Sequence, residues 1–459
     1  MFLFFRYYGK VQEFFPPTYL KLLKYLLCRG WKSKFAAKLV FFLGKRVRNL
    51  RNISYFCIVK QLYIYFLAFL LLFFSTKEHA SAQRVDYDSL RISLLTCSPH
   101  DEIYSLYGHT ALRIENLQSG EDFVVNYGLF SFEKPFFILR FVFGLTDYEM
   151  GFIPLNYFME EYSYWGSSIT QQVLNLTKVE KERFMLALNE NYRPENRVYR
   201  YNFFYNNCTT KARNIIVESL DGRVEYNDTV PDQLTFRKML HEKTAEHPWA
   251  ALGNDLLLGI GADRVVSLEE KQFLPEDMLL SADSAYVLQN DGTRRKLVSE
   301  KRIILPARHI STESSSFPSP VIISSAILLL SVLFSFVEWK KRKYFWGYDI
   351  LLFLLFGLCG IILTAMIFSA HPTVSQNAQI LLFNPLLLIF GIKAVLRFKK
   401  GEMHWLWLVE ILFLCLLLVV YSFEIQWLDP SVRLLTLSML LRCAMKIYLS
   451  SKKAEVAKA

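Results

Sequence analysis

The sequence predicts an α+β soluble domain, with an antiparallel sheet and helices, followed by an all-α bundle of about five transmembrane helices. Two observations lead to this fold class. Hydrophobic residues make up 53% of the 459 residues, and they collect in one stretch before Ser75 and in several stretches after Pro320. The segment between them carries the alternating and helical patterns of an ordinary soluble domain. Because a membrane span needs about 20 mostly apolar residues in a row, this uneven distribution indicates an integral membrane protein.

The positive charge of the chain, +11 at pH 7, lies mainly in the first sixty residues and in the short loops between apolar runs. Basic residues concentrate on the cytoplasmic side of membrane spans, so membrane topology accounts for the charge. No nucleic-acid-binding fold or motif accompanies it in the sequence. We therefore predict no nucleic-acid partner.

Residues 1–60 form a basic leader, which we place in the cytoplasm. Residues 61–82 contain an apolar run and then Ala80-Ser81-Ala82, a pattern typical of a secretory signal peptide and its cleavage site. An uncleaved N-terminal membrane anchor is the alternative interpretation. Both interpretations place the domain that begins at Gln83 outside the cytoplasm.

The predicted soluble domain covers residues 83–310 and mixes strands with helices. Apolar and alternating patterns predict strands at residues 90–96, 110–114, 122–127, 169–176 and 197–205. Residues 177–192 predict a helix, because Thr177 is a good N-cap and Glu180 completes a capping box. Another helix is predicted to begin near Cys208, since the apolar residues after it recur at helical spacing.

Residues 311–320 form a polar linker into a predicted transmembrane bundle at 321–450, which a cytoplasmic tail at 451–459 follows. The five apolar runs of the bundle lie at residues 321–337, 345–368, 378–396, 404–423 and 431–449. The loops between these runs alternate in charge, and basic loops mark the cytoplasmic side. Five crossings with this alternation place the soluble domain outside and the C-terminus inside.

Ionisable residues interrupt the apolar runs. Glu410 lies in the fourth run and Asp349 near the start of the second. A titratable group at membrane depth is a functional candidate, but both carboxylates also suit a structural role as partners of Arg442 or Lys446. Asn384-Pro385 is predicted to bend or interrupt the third span.

One group of residues in the soluble domain is suited to nucleophilic catalysis. Cys208 follows Asn206 and Asn207, which are favourable helix N-caps, so its thiol is predicted to lie in a first helical turn. Backbone N–H groups and the helix dipole lower a thiol pKa there, and they offer an oxyanion hole. His109, at a strand start, is the candidate general base, and Asn126, on the next strand, is the candidate for fixing its imidazole.

Other interpretations of these residues stay open. Cys208 is also able to form a disulfide with Cys97, because both belong to a domain outside the cytoplasm. A lone histidine near a strand start is more often a surface or structural residue than a base. The sequence His-Asp-Glu at 100–102 resembles a metal site, but no second ligand pair accompanies it, so we predict no metal and no cofactor.

Two aromatic runs, at residues 136–143 and 157–165, belong to the same domain. Aromatic side chains favour the interface between a bilayer and water, so these runs suit an apolar wall of a site or a surface that touches the membrane. Packing in the domain core is the alternative interpretation.

These motifs resemble two related groups of proteins. A histidine on a strand, followed later by Asn-Asn-Cys208 at a helix start, resembles circularly permuted papain-like proteins, including the lecithin:retinol acyltransferase type. More closely, residues 88–310 are similar to the N-terminal periplasmic domain of the Bacteroides-type lipoprotein N-acyltransferase (Lnb) family. The stretches that carry this similarity are 94–99, 102–109, 192–196, 201–208, 259–263 and 273–275.

The resemblance implies a membrane-bound thiol acyltransferase with its large domain in the periplasm and its spans in the bacterial inner membrane. Cys208 would take an acyl chain from a membrane phospholipid as a thioester. The N-terminal amine of a lipidated lipoprotein would then accept the chain. His109 would activate the thiol first and deprotonate the amine second.

Two other functions remain alternatives at this stage. A papain-like amidase or peptidase of the cell wall would use the same Cys208 and His109. A non-enzymatic periplasmic sensor or assembly module would instead contain a Cys97–Cys208 disulfide. Lipid dependence separates the transferase from the amidase, and thiol labelling separates both enzymes from the sensor.

Overall fold

The computed structural model describes residues 86–100, 102, 105–130, 135–289, 291–308, 317–341 and 343–458. The predicted basic leader at 1–60 and the predicted signal peptide or anchor at 61–82 lie outside the described residues. Most of the predicted linker at 311–320 lies outside them as well.

Strands dominate the first part of the described chain, which we call the sheet domain (residues 86–308). The strands are β1 Leu90–Cys97, β2 His109–Asn116, β3 Asp122–Leu129, β4 Asp147–Pro154, β5 Ile169–Leu174, β6 Val198–Arg200, β7 Arg223–Glu225, β8 Tyr286–Leu288, β9 Arg294–Lys296 and β10 Val298–Leu305. Seven of them form one antiparallel sheet in the order β10-β5-β1-β2-β3-β4-β6. The other three form a small sheet in the order β7-β8-β9.

Helices connect and cover the strands and then form the rest of the chain. Those of the sheet domain are α1 Phe137–Val142, α2 Leu155–Tyr164, α3 Lys178–Tyr192, α4 Cys208–Ser219, α5 Phe236–Lys243, α6 Pro248–Leu257, α7 Leu268–Lys271 and α8 Pro275–Ser284. Those of the helical bundle (residues 320–458) are α9 Pro320–Lys341, α10 Trp346–Ile367, α11 Pro385–Lys399, α12 Leu406–Ser422 and α13 Pro430–Lys458. The predicted order, an α+β domain and then a helical region, is confirmed.

The strands predicted at residues 90–96, 110–114, 122–127 and 169–176 correspond to β1, β2, β3 and β5. The strand predicted at 197–205 was too long. Only Val198–Arg200 pairs with the sheet, because a tight turn then closes through the bridge between Asn202 and Asn206. The strands β4 and β10 were not predicted from the sequence. The charged β10 is an edge strand, whose exposed residues do not show the apolar pattern of a buried strand.

The core of the sheet domain lies between the sheet and the helices α3 and α4. Apolar residues of β1, β2 and β3 pack there against Phe184 of α3 and Ile215 and Ile216 of α4. The predicted capping box of α3 is present, since Glu180 N–H donates to Thr177 Oγ1 and Thr177 N–H donates to Glu180 Oε2. This packing holds α4 against β2 and β3, which carry the candidate site.

The helical bundle contains three helices that are long and apolar enough to cross a membrane, among the described residues: Pro320–Lys341, Trp346–Ile367 and Ala378–Lys399. The fourth and fifth predicted spans correspond to the shorter apolar helix α12 and to α13. The third span is interrupted as predicted. A 3₁₀-helix at Ala378–Leu381 ends before Asn384, which precedes Pro385 at the first turn of α11.

Four buried charged side chains connect three helices of the bundle. Arg442 of α13 donates to Asp349 of α10 at 2.7 Å and to Glu338 of α9 at 2.8 Å. Lys446 bonds the same two carboxylates, each at 2.8 Å. Asp349 is therefore a structural partner of both basic residues, whereas Glu410 accepts a hydrogen bond from Asn384 at 3.1 Å.

Backbone hydrogen bonds join the sheet domain to the bundle loop at residues 369–377. Gly259 N–H donates to Thr373 O, and Ile260 N–H donates to Gln376 O, both at 2.8 Å. A Cβ atom at Gly259 would lie 2.2 Å from Gln376 O, so the approach requires glycine. The sheet domain is thus held in one orientation on the end of the bundle.

Candidate active site

Cys208 is the first residue of α4, and its neighbour Asn207 explains why the helix starts there. Asn207 Oδ1 accepts hydrogen bonds from the N–H groups of Thr209 and Thr210, both at 2.9 Å. In return, Asn207 N–H donates to Thr210 Oγ1 at 2.8 Å, which completes a capping box. The sulfur atom therefore lies at the positive end of the helix dipole.

The first turn of α4 is tied to strand β2. The hydroxyl groups of Thr209 and Thr110 are hydrogen-bonded at 3.0 Å, and both residues are buried. The backbone N–H of Thr110 also bonds the Cys208 sulfur. Since His109 directly precedes Thr110, this contact brings the imidazole of His109 beside the thiol.

His109 opens β2 immediately after Gly108. Gly108 has a φ angle of +76°, and a Cβ atom there would lie 2.7 Å from the carbonyl oxygen of Cys97. This left-handed conformation and close approach are accessible to glycine and strained for other residues. Gly108 thus lets the chain turn sharply and place His109 at the end of the sheet, opposite Cys97 on β1.

Asn126 on β3 fixes the tautomer of His109. Its Oδ1 atom accepts the backbone N–H of Gly128 at 2.8 Å, which identifies the oxygen of the amide because a backbone N–H only donates. The same Oδ1 lies 3.0 Å from Nε2 of His109. Nε2 must therefore carry a hydrogen, and Nδ1 is the nitrogen of the neutral ring that remains to accept the Cys208 proton.

The electrostatics of the pair favour a thiolate. Burial opposes ionisation of the Cys208 thiol, but the charge and hydrogen bond of His109 outweigh it and lower the pKa to about 7. Burial also tends to lower the pKa of His109. The nearby Cys208 and the hydrogen bond to Asn126 outweigh that tendency, so the pKa of His109 is raised above its ordinary value.

Asn206 and Asn207 do not supply oxyanion donors through their side chains. The Asn207 amide nitrogen donates to the carbonyl oxygens of Phe203 and Phe273, at 2.8 and 2.9 Å. The Asn206 amide nitrogen donates to Arg200 O at 2.7 Å. Asn207 is the helix cap, and Asn206 belongs to the preceding turn. Because the cap accepts the N–H groups of Thr209 and Thr210, the backbone N–H of Cys208 is the remaining candidate oxyanion donor at this helix start.

Cys97 and Cys208 are both free thiols in the structure. Cys97 is buried on β1, and burial raises the pKa of its thiol well above the ordinary value. Its thiol is hydrogen-bonded to Tyr162 of α2, whose ring stacks on His109 with 6.4 Å between ring centroids. Cys97 thus belongs to the packing behind the imidazole.

A pocket of about 300 Å³ opens over the thiol and the imidazole. Its walls contain several aromatic side chains, and Tyr148 and Tyr201 stack there with 4.1 Å between ring centroids. Glu161 of α2 lines the same pocket. The run at 157–165 was predicted from the sequence as an apolar wall, but Glu161, Tyr148 and Tyr201 were not selected individually. No motif marks these residues. Tyr148 and Tyr201 meet through the pairing of β4 with β6, and Glu161 lies on α2, which packs against β3 and β4.

The pocket wall continues into the helical bundle. Phe273 and Leu274 line the pocket, and they belong to an apolar cluster with Met366 of α10 and Val374 of the loop after it. A continuous apolar cluster therefore connects the pocket wall with the end of a candidate membrane span.

The first aromatic run forms α1 and presents an apolar surface beside this junction. Phe136 and Leu139 are exposed, at 76% and 55% of their surface. The carbonyl oxygen of Phe143 accepts a hydrogen bond from Ala370 N–H at 3.0 Å, which ties α1 to the end of α10. In the second run, Phe158 is fully buried, so core packing explains that member of the run.

No group of three or more His, Cys, Asp or Glu side chains among the described residues is arranged to hold a metal ion. Of the sequence His-Asp-Glu at 100–102, Asp101 lies outside the part of the chain that the structure describes. His100 packs edge-on against Trp165, with 4.6 Å between ring centroids, and lines the pocket.

Two family models match the chain. The Lnb N-terminal periplasmic domain matches residues 76–242, a range that contains Cys208, His109 and Asn126. The Lnb transmembrane domain matches residues 312–454, which contain the helices α9 to α12 and most of α13. No curated protein and no protein of known structure matches the chain.

Proposed function

Because the chain belongs to the Lnb family, and is therefore a membrane protein with a periplasmic domain, we propose that it is a thiol acyltransferase acting on lipoproteins. The acyl donor is a membrane phospholipid, and the acceptor is the N-terminal amine of a lipidated lipoprotein. The observation that carries the proposal is the contact of Cys208 with His109, which Asn126 orients, at a helix N-terminus. A thiol beside a sheet-borne histidine is also the basis for proposing a papain-like ancestry.

In the first half-reaction, Cys208 attacks the carbonyl carbon of a glycerol ester. His109 takes the thiol proton on Nδ1, and the imidazolium then gives it to the departing glycerol oxygen. A C–S bond forms, a C–O bond breaks, and a lysophospholipid leaves. The backbone N–H of Cys208 is placed to stabilise the negative oxygen of the tetrahedral intermediate.

In the second half-reaction, the acceptor amine loses a proton to His109 and attacks the thioester carbonyl. A C–N bond forms, and the C–S bond breaks with the thiolate of Cys208 as leaving group. A thiol pKa of about 7 suits both roles, since the thiolate is available for attack and departs readily. The product is an N-acylated lipoprotein.

Both substrates belong to a membrane, and two features of the molecule support access from it. The pocket residues Phe273 and Leu274 belong to the same buried apolar cluster as Met366 near the end of α10. The exposed apolar residues Phe136 and Leu139 lie beside the same junction. We propose that the bundle crosses the bacterial inner membrane five times and holds the pocket at its periplasmic surface, where an acyl chain has a short path to Cys208.

The experiment that tests this function is mass spectrometry of the N-terminal peptide of a reporter lipoprotein. Cells that carry the wild-type protein should produce an acylated N-terminus, and cells with Cys208→Ala at equal abundance should leave the amine free. Cys97→Ala is the matched control, because it removes a buried thiol that does not enter the mechanism. Identical termini with wild type and Cys208→Ala contradict the proposal, and the cell-wall amidase and the periplasmic sensor then remain as the alternatives.

A further inference from the structure

The pocket over Cys208 contains one acidic side chain among the described residues that line it. This is Glu161, which lies on α2 next to Tyr162, the residue that stacks on His109. The remaining lining side chains are aromatic, apolar, or polar without an acid, and neither lysine nor arginine occurs among them. A single carboxylate without a lysine or arginine in the lining favours a ligand with a positive charge.

Glu161 is exposed, and within the described part of the chain it forms no ion pair with a basic side chain. Two acidic residues of β4, the strand against which α2 packs, differ from Glu161 because each forms an ion pair with an arginine. Asp147 and Glu149 on β4 pair with Arg200 and Arg197 at 2.7 and 2.8 Å. Glu161 interacts instead with His109 through its charge. A carboxylate that faces a pocket without its own cation is suited to receive a cation from a ligand.

The two substrates of the proposed reaction differ in charge at the atoms that approach the thiol. A phospholipid brings a neutral ester and an anionic phosphate, and a carboxylate repels the phosphate. A lipoprotein brings a terminal α-ammonium group. At the atoms that react, the terminal ammonium of the lipoprotein is the cation that this carboxylate attracts, whereas the ester group of the phospholipid is neutral.

We propose that Glu161 is the subsite that binds the α-ammonium group of the acyl acceptor and holds it beside His109 and the thioester of Cys208. The assignment rests on the proposed function and adds to it a residue that recognises the acceptor. The ammonium gives one proton to His109, and the resulting amine attacks the thioester. The second proton leaves the new amide nitrogen through Glu161 to solvent, while the Cys208 thiolate departs.

The test separates the two half-reactions in the purified full chain. Phospholipid alone loads the enzyme, and intact-protein mass spectrometry measures the rate of thioester formation. A synthetic diacylated lipopeptide with a free terminal amine then unloads it. Hydroxylamine, a neutral nucleophile, unloads it in a parallel reaction. The variants are Glu161→Gln and Glu161→Asp, with Glu160→Gln as the matched control, because Glu160 is an exposed acid on the same helix that does not line the pocket.

We expect Glu161→Gln to slow transfer to the lipopeptide by roughly 10- to 100-fold, the range for loss of a hydrogen bond to a charged group, with a higher KM for the lipopeptide. Loading with phospholipid and release by hydroxylamine should change far less. Glu161→Asp should recover part of the transfer rate, and Glu160→Gln should match the wild type.

Equal slowing of loading, lipopeptide transfer and hydroxylamine release would overturn the assignment, because the residue would then act on the thiol or on the fold. Wild-type transfer by Glu161→Gln would overturn it as well. Failure of the wild-type protein to form any thioester refutes the proposed function itself, and the assignment of Glu161 falls with it. The loading step therefore distinguishes the two failures.

Discussion

At the scale of single residues, the reactivity of Cys208 depends on one chain of contacts. Gly128 N–H orients the Asn126 amide, the amide orients His109, and His109 acts on the thiol. Each contact fixes the orientation of a group on which the next contact depends. The low pKa of Cys208 is the outcome of two opposed effects. Burial raises the pKa, and the charge and hydrogen bond of His109 lower it by a larger amount.

Alkylation of Cys208 tests the origin of that pKa. In the wild-type protein, we expect the labelling rate to rise with pH through a midpoint near the thiol pKa of about 7. In His109→Ala, the midpoint should move to higher pH, because the positive partner is lost while burial, which opposes ionisation, remains. The measurement is iodoacetamide labelling at Cys208, followed by mass spectrometry across the neutral and alkaline range.

Cys97 is the internal control for this labelling, because its buried thiol has a raised pKa and should react slowly in both proteins. Identical pH profiles for wild type and His109→Ala would mean that the histidine does not set the reactivity of Cys208.

Gly128→Ala tests the position of the imidazole. A Cβ atom at this position would lie 2.8 Å from Cε1 of His109 and 3.1 Å from Oδ1 of Asn126. The ring must therefore move, and a displacement of about 1 Å at a reacting group lowers a rate by roughly 10²-fold. The measurement is the rate of thioester formation, with thermal stability recorded in parallel.

The matched control is Gly253→Ala in α6, where an added Cβ atom has no neighbour within 4 Å. It should retain the wild-type rate. A wild-type rate in Gly128→Ala would show that the close packing around the ring is irrelevant to the chemistry.

At the scale of elements, the first turn of α4 carries both a structural and a chemical role. Asn207 accepts two backbone N–H groups of that turn and donates to the carbonyl oxygens of Phe203 and Phe273. One side chain thus joins the helix start, the turn before it and the pocket wall at residue 273. The position of the thiol depends on this cap.

Asn207→Ala should loosen the first turn of α4. The loss of an N-cap costs about 0.5–2 kcal/mol, which corresponds to amide exchange about 2-fold to 30-fold faster at Thr209 and Thr210. The measurement is hydrogen–deuterium exchange of the full chain in detergent. Thr177→Ala, which removes the cap of α3, is the control and should leave these two amides unchanged. Unchanged exchange in Asn207→Ala would contradict the structural role of the cap.

At the scale of the whole molecule, a catalytic domain rests on a bundle that is held together partly by buried charge. Arg442 and Lys446 on α13 neutralise Glu338 on α9 and Asp349 on α10. All four side chains are almost fully buried. The group has no net charge as a set, and it connects helices that are far apart in the sequence.

Arg442→Met should destabilise the bundle by about 3–5 kcal/mol, because Lys446 alone then faces the two buried carboxylates Glu338 and Asp349, and one buried negative charge is left uncompensated. The double variant Arg442→Met with Asp349→Leu should recover part of the loss, since it restores neutrality. The measurement is thermal unfolding in detergent. Arg397→Met is the control, because Arg397 forms an exposed pair with Glu402 that contributes about 0–1 kcal/mol. No recovery in the double variant would argue against charge balance as the cause.

The sequence by itself determined the features that depend on neighbours along the chain. Apolar and alternating patterns located β1, β2, β3 and β5, the Thr177–Glu180 pair located α3, and the Asn-Cys step located the start of α4. Apolar run length located three helices with the composition of spans. Cys208, His109 and Asn126 were selected because their residue types and local positions suit the chemistry.

Only the tertiary structure decided which residues meet across long separations. The charged strand β10 joins the sheet by pairing with β5, for example Val298 with Leu174. The residue pattern of β10 does not identify β5 as its partner. Glu161 reaches the pocket because α2 packs on the sheet beside His109. Asn206 and Asn207 are the same residue type, but Asn206 belongs to a turn and Asn207 is the helix cap. Local propensity acts within a few residues, whereas pairing, burial and charge balance act through space, so these outcomes needed the folded chain.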